Sequence, residues 1–202
     1  MRPSIKILTP VLAFSLFYGC QSSTTENSIT DEKEAPIHII TPDFDSESAY
    51  DKVKQQLEFG VRVPNTQGHT KCGDWMVDAL KGFDLEVEEQ NFEAFSFEGK
   101  ALRARNIIGS YNPEATKRIL LAAHWDTRAV ADQDSERKLQ PIPGANDGAS
   151  GVAILLQIAE DISKADSKPN IGIDYVFFDA EDGGEPESFQ GNPLNDYGGY
   201  LM

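Results

Sequence analysis

Two continuous apolar runs, separated by a segment with helical periodicity, restrict the fold of this chain more than any other feature. The runs cover residues 118–123 and 171–178, and each is typical of a strand that is covered on both faces. Between them, residues 149–163 place apolar side chains at helical spacing, among them Val152 and Leu156. This order of strand, loop, helix and strand predicts an α/β domain with a mixed central β-sheet flanked by helices.

The residues before this unit predict two helices and two further strand regions. The first helix is expected over residues 46–59 with Ser46 as its cap, and the second over residues 69–81. Alternating apolar residues predict a strand at 83–87, and residues 104–110 predict another. The sheet should therefore receive strands from both halves of the domain.

The first 20 residues resemble an export signal. Their apolar run is too short to cross a bilayer, which needs ~20 apolar residues. It ends at Gly19-Cys20, which is similar to the bacterial lipoprotein cleavage site, with Cys20 as the lipidated first residue; an ordinary secretory signal is the alternative. Residues 21–45 are polar and predict a flexible tether, which leaves residues 46–202 as one domain. We therefore expect an exported protein of the bacterial cell envelope or periplasm, anchored to the membrane by lipid.

The charge balance and the cysteine count exclude two classes of protein. The chain has 33 acidic and 18 basic residues, a formal net charge of −15. This excess argues against a nucleic-acid partner, because binding to phosphates requires clustered Lys and Arg. Lipidation of Cys20 would leave Cys72 as the only thiol, and this would exclude an intramolecular disulfide.

Three polar clusters follow the apolar runs or precede the helix between them. They cover residues 124–126, 144–148 and 179–182. Sites in open α/β sheets form beyond the carboxyl ends of the strands, so the first and third clusters are placed where a site is expected. The second cluster contains Asp147, which is either a site residue or the N-cap of the following helix.

Asp179, Glu181 and Asp182 bring three carboxylates within four residues. Crowded carboxylates raise each other's pKa unless a cation compensates their charge. Zinc accepts carboxylate oxygens beside imidazole nitrogens. The cluster therefore predicts a divalent metal site in which one acidic side chain binds the metal and another transfers protons. A solvated acidic loop is the alternative.

Five segments of the chain together resemble a known family. They are residues 59–66 (FGVRVPNT), 105–108 (RNII), 120–128 (LLAAHWDTR), 144–151 (GANDGASG) and 177–182 (FFDAED). Over about residues 49–182 the chain is similar to the exported glutaminyl-peptide cyclotransferases, which share the zinc aminopeptidase fold of the M28 peptidases. The last three segments, in this order, are common to the superfamily, whereas residues 62–64 and 106–113 are more like the cyclase branch.

The resemblance implies a role for five residues. Asp147 and Asp182 would be zinc ligands, and Glu181 would be the general acid/base; Asp182 stands where a glutamate is common and is one methylene shorter. In the two-metal aminopeptidases His124 would be a further ligand oriented by Asp126, whereas in the cyclases His124 lies near the site without binding metal. We therefore expect one zinc ion, or two if the chain is an aminopeptidase.

The function implied by the resemblance is that of an acyltransferase. It would cyclise the N-terminal glutamine of peptides or proteins to pyroglutamate and release ammonia. An M28-type metal-dependent aminopeptidase and a non-catalytic, lipid-anchored binding protein are the alternatives. The family also takes a zinc-binding histidine from near the end of the domain, and no histidine follows Asp182 in this chain. We therefore expect a C-terminally truncated enzyme, incomplete in its fold, inactive alone and with part of the strand at 171–178 uncovered.

Overall fold

The computed structural model describes residues 43–96, 98–132 and 134–183. The signal predicted for residues 1–20 lies outside this part of the chain, as does almost all of the tether predicted for residues 21–45. No helix among the described residues combines the length and the apolar character that a membrane crossing requires.

The strands form one mixed sheet with helices packed against it, as predicted. In chain order the elements are α1 (Ser46–Glu58), α2 (Gln67–Gly82), β1 (Glu86–Phe95), β2 (Ala101–Tyr111), β3 (Arg118–His124), α3 (Ala149–Lys164), β4 (Gly172–Phe178) and a 3-10 turn (Glu181–Gly183). The described strands lie in the order β1-β2-β4-β3. The β1–β2 and β2–β4 pairs are antiparallel, and the β3–β4 pair is parallel.

The beginnings of three elements differ from the prediction. Asp45, and not Ser46, caps α1, because its side chain accepts a hydrogen bond from the backbone N–H of Ser48 at 2.9 Å. Helix α2 begins at Gln67, since the Thr66 hydroxyl accepts from the backbone of the third helical residue. Strand β1 begins at Glu86 because the residues expected to start it complete the turn that ends α2. The N–H of Leu85 still bonds to the carbonyl of Leu80 at 3.2 Å.

The core lies on the face of the sheet that carries Ile173, Tyr175 and Phe177 of β4. Helices α2 and α3 both contribute to it, with buried side chains that include Leu80 and Leu156. Helix α2 packs on the β1–β2 side of the sheet, and α3 packs on β3. The carboxyl ends of β3 and β4 lie side by side, since His124 pairs with Phe178, and the beginning of α3 meets them at this end of the sheet.

Strand β3 is less covered than its apolar sequence predicted. Among the described strands it is at an edge of the sheet, and Ile119 and Leu120 are exposed. Strand β4, whose cover was expected to be incomplete, lies between β2 and β3 and is mostly buried. An apolar run indicates that a strand is hydrophobic, but it does not determine which neighbours pair with it.

Candidate metal centre

Three side chains from different elements converge at the edge where β3 and β4 end. His124 is the last residue of β3 and pairs with Phe178, the last residue of β4. Asp147 precedes α3, and Asp182 lies in the 3-10 turn after β4. One possible ligand atom from each of His124, Asp147 and Asp182 lies within 4.8 Å of the other two. The distance between His124 Nε2 and Asp147 Oδ1 is 3.0 Å.

The alternative that Asp147 serves as the N-cap of α3 is wrong. The N-cap is Gly148, and no side chain forms a hydrogen bond that caps this helix. The Asp147 side chain is 63% exposed and contacts the His124 ring instead. Gly148 permits this arrangement through a φ of +88°, and a Cβ atom there would lie 3.0 Å from the carbonyl oxygen of Asp126. Asp147 is therefore available to a ligand on the solvent side of the site.

Asp126 supports the turn that carries Glu181 and Asp182. One carboxylate oxygen accepts the N–H of Glu181 at 3.2 Å, and the other accepts the N–H of Asp182 at 3.1 Å. The Asp126 side chain is buried, whereas its distance of 3.7 Å from His124 Nδ1 is too long for a hydrogen bond. This Nδ1 atom has no hydrogen-bond partner among the described residues. The hydrogen bonds of Asp126 thus position the turn, and the role that the resemblance implied, orienting His124, is not visible in them.

Glu181 and Asp182 share the turn but differ in their surroundings. Glu181 is about half-exposed, and its carboxylate lies 3.8 Å from His124 Nδ1. The Asp182 carboxylate is more buried and lies 3.7 Å from the guanidinium of Arg128. Arg128 also forms a bidentate ion pair with Asp132 at 2.8 and 2.9 Å. The sequence placed Arg128 only in a motif; a positive residue two positions after a polar cluster in so acidic a chain was the signal that it belongs to the site.

The charges in the site favour a cation. Burial raises the pKa of Glu181, and burial with the Asp126 and Asp147 charges raises the pKa of Asp182 to about 6. The Asp126 carboxylate is the main cause that raises the pKa of His124 to about 9. One imidazole nitrogen and two carboxylate oxygens are a donor set that suits zinc. The residues present therefore fit a zinc ion held by His124, Asp147 and Asp182, and the ligand roles stay predictions.

Asp179 lies apart from the other two carboxylates of its cluster. It is buried, and its carboxylate oxygen is 2.7 Å from His69 Nε2 and accepts the N–H of Arg105 at the same distance. The His69 ring stacks on Trp125 with a centroid distance of 4.3 Å. Burial raises the pKa of Asp179, and His69 opposes this shift. The prediction that three carboxylates crowd together therefore holds only for Glu181 and Asp182, and no pattern in the sequence marks the contact to His69.

Ala180 separates the buried acid from the exposed pair through an unusual backbone conformation. Its φ is +61°, a value that residues with a side chain rarely adopt. The methyl group is buried in a small cluster with Ala94, Leu102 and Ala104. This packing holds the reversal of direction that points Asp179 into the core and Glu181 toward solvent.

Comparisons with known proteins identify relatives of this chain. Residues 106–190 match Peptidase family M28. A glutaminyl-peptide cyclotransferase from Drosophila melanogaster is 29% identical over 125 residues, which are 60% of this chain and 33% of that protein. The structure of a Bacteroides thetaiotaomicron glutaminyl cyclase bound to N-acetylhistamine is 48% identical with a TM-score of 0.71, over 76% of this chain and 52% of that one. The structure of a Zn-dependent exopeptidase from Parabacteroides distasonis is 47% identical with a TM-score of 0.72, over 78% of this chain and 54% of that one. The chain thus spans about half the length of these solved structures and a third of the curated relative.

Proposed function

We propose that this chain, which carries an M28 peptidase family domain, acts as a zinc-dependent glutaminyl-peptide cyclotransferase. Its substrates would be peptides or proteins that begin with glutamine, and its products pyroglutamyl peptides and ammonia. The observation that carries the proposal is the cluster of His124, Asp147 and Asp182 with Glu181 beside it, in a chain 48% identical to a solved glutaminyl cyclase.

The reaction joins two groups of the same residue. The α-amine of the N-terminal glutamine attacks its γ-amide carbon, the new C–N bond closes the ring, and the bond to the amide nitrogen breaks to release ammonia. Because nucleophile and electrophile belong to one side chain, the site gains most by holding that side chain folded back. A zinc ion held by Asp147 and Asp182, with His124 beside it, would polarise the γ-carbonyl.

Glu181 is suited to the proton transfers of this reaction. Its carboxylate would take a proton from the attacking amine and deliver it to the leaving nitrogen. Burial raises the pKa of Glu181, which brings it closer to neutral pH, where a general base works best. Asp126 would keep this carboxylate in place through the backbone of the turn, since its oxygens accept the N–H groups of Glu181 and Asp182.

An M28-type aminopeptidase is the second candidate, because the 47% identical relative from Parabacteroides distasonis is named a Zn-dependent exopeptidase. The same base would then activate a water molecule for peptide hydrolysis, and a second zinc ion would be expected. The two candidates differ in their products. A cyclase gives a pyroglutamyl peptide and ammonia from a glutaminyl peptide, whereas a peptidase releases a free amino acid from peptides with other N-terminal residues.

The test compares glutaminyl and alanyl peptides by mass spectrometry, with residues 1–202 and with any longer form of the protein that its gene encodes. We expect the active form to cyclise the glutaminyl peptide, and we expect Glu181→Gln to lose roughly 10²–10⁴-fold in rate with zinc still bound. Glu88→Gln, on the edge strand β1, is the matched control and should retain full activity. Release of alanine would overturn the cyclase assignment in favour of the peptidase. Cyclisation by residues 1–202 would contradict the expectation that they are inactive alone.

Export and lipid attachment are a separate part of the proposal and rest on the sequence of the first 20 residues. We expect the protein in the bacterial cell envelope, where it would meet the N-termini of exported peptides. Labelling with a fatty-acid analogue should mark the wild-type protein and not Cys20→Ser. Label that persists in this variant would contradict a lipid anchor on Cys20, and a labelled Cys72→Ser with an unlabelled Cys20→Ser would support it.

A further inference from the structure

Arg62 is a buried charged residue for which the proposed chemistry has no use. It lies in the connector between α1 and α2 and is 0% exposed. No ion pair joins it to a carboxylate within the described ranges. Removing a guanidinium from water without such a partner is costly unless its N–H groups are satisfied in another way.

The acceptors of the Arg62 guanidinium are three backbone carbonyl groups around the metal centre. Nε donates to the carbonyl of Trp125 at 3.0 Å, Nη1 to that of Pro143 at 3.0 Å, and Nη2 to that of Gly144 at 2.8 Å. Trp125 follows His124 directly, whereas Pro143 and Gly144 begin the loop that leads to Asp147. One side chain therefore ties together the two chain segments that carry two of the three candidate ligands.

The backbone around Arg62 reinforces this connection. Its N–H donates to the hydroxyl of Thr127 at 3.0 Å, and its carbonyl accepts the N–H of Thr127 at 3.2 Å. Gly144 has a φ of +64°, and a Cβ atom there would lie 2.7 Å from Arg62 Nη2 and 2.4 Å from Thr127 Cγ2. The loop thus lies directly against the guanidinium, and its carbonyl at Gly144 also accepts the N–H of Ala149, the first residue of α3.

Asp147 itself has little other support. Its side chain is exposed, and its contact within the site is the one to His124. The distance between these two residues consequently depends on how firmly the loop is attached to the end of β3. Arginine suits this task because its planar fork presents donors in several fixed directions, whereas lysine has a single flexible ammonium group.

We propose that Arg62 is a positioning residue that fixes Asp147 relative to His124 and so preorganises the metal centre. This inference rests on the proposed metal centre. Replacing the Arg62 guanidinium should leave the candidate metal ligands in the chain but allow the loop that carries Asp147 to move, so that the affinity for zinc falls. Because supporting partners of metal ligands are typically worth 10–100-fold in affinity, we expect an increase of roughly that size in the zinc Kd of Arg62→Lys.

The test measures zinc affinity of the full chain by titration against a competing chelator. The matched control is Arg118→Lys, because Arg118 also uses its fork, on Asp174 at 2.8 and 2.6 Å, but at the opposite end of β3. We expect the control to change the zinc Kd by no more than about two-fold. In an Asp147→Ala background, Arg62→Lys should cause no further loss, because its effect acts through Asp147. An equal loss in both backgrounds would overturn the inference.

A measurement without metal separates this inference from the proposed function. Hydrogen exchange of the Ala149 amide, which bonds to Gly144, should be faster in Arg62→Lys than in Arg118→Lys. If the wild-type chain binds no zinc, the proposed metal centre fails, and the exchange rates alone decide whether Arg62 holds the loop. Unchanged exchange would refute the role of Arg62. Should Arg62→Lys not fold, Gly144→Ala displaces the same loop and should show the same faster exchange.

Discussion

Replacement of Asp126 separates positioning of the turn from metal ligation, because Asp126 contacts the backbone of Glu181 and Asp182 and not their side chains. Asp126→Ala leaves two N–H groups without their acceptor. Asp126→Asn keeps one oxygen acceptor but directs an amide N–H at the other donor. We therefore expect both variants to disturb the turn, with the alanine variant the more severe.

The expected magnitude follows from the two hydrogen bonds. A hydrogen bond to a charged group contributes about 1.5–3 kcal/mol to the free energy of unfolding. Both distances, 3.2 and 3.1 Å, are long for such bonds, so the lower end of that range applies to each. Asp126→Ala should thus lose about 3 kcal/mol of stability, and Asp126→Asn about half of that. Displacement of Asp182 should in addition raise the zinc Kd roughly 10–100-fold.

Urea denaturation gives the stability, and titration against a chelator gives the zinc affinity. The matched control is Asp174→Asn, because Asp174 also accepts hydrogen bonds from two groups, Arg118 and Ser110, but lies at the other end of β4. This control should lose stability and keep its zinc affinity. If Asp126→Ala binds zinc as tightly as the wild type, the turn does not depend on Asp126, and our account of the site is wrong.

Further predictions concern a buried thiol and a glycine. Burial raises the pKa of Cys72 to about 12 from its ordinary value of 9.0, so the folded state resists ionisation. The stability that this shift contributes is fully present below pH 9 and is lost as the pH rises toward 12. The loss should be on the order of 4 kcal/mol, and it should be absent from the alkaline denaturation curve of Cys72→Ala. Parallel curves for the wild type and the variant would contradict this prediction. Gly148→Ala should cost about 1–3 kcal/mol in backbone strain and also weaken zinc binding, because its Cβ atom would lie 3.0 Å from the carbonyl oxygen of Asp126, so the backbone beside His124 would have to shift. Gly99→Ala shares the positive φ but has open space around it, so it should show the strain alone, and equal zinc affinities would refute the contact.

The parts of the fold that local pattern determines were predictable from the sequence. The helix expected at 149–163 is Ala149–Lys164, and the strand expected at 171–178 is Gly172–Phe178. Both segments have strong apolar periodicity and clear polar boundaries. The strand expected at 83–87 is wrong at its start because Phe83 and Leu85 pack under the end of α2, and an alternating pattern cannot be distinguished from such a turn.

The meeting of the site residues was predictable from the topology of the strands, whereas the hydrogen bonds that hold the site in place were not. Polar residues at the ends of two parallel strands had to meet, and His124 and Asp182 do. The contact between His69 and Asp179 joins residues 110 positions apart, and the hydrogen bonds of Arg62 end on backbone carbonyls. Backbone acceptors are the same in every residue, so no residue type in the sequence marks them. Such partners become visible only when the chain is folded.

The charged residues of this edge divide into two groups by burial, and the division determines how substitutions should behave. Arg62, Asp126 and Asp179 are buried and bond to the backbone, so their replacement should reduce stability and zinc affinity together. Asp147 and Glu181 are accessible and make few bonds, so their replacement should change binding or turnover with little loss of stability. The charge of Asp147 also helps to raise the pKa of Asp182, so a divalent cation bound between these two carboxylates would relieve their repulsion. The buried group, through its bonds to the backbone, would hold the carboxylates in place whether or not a cation is bound.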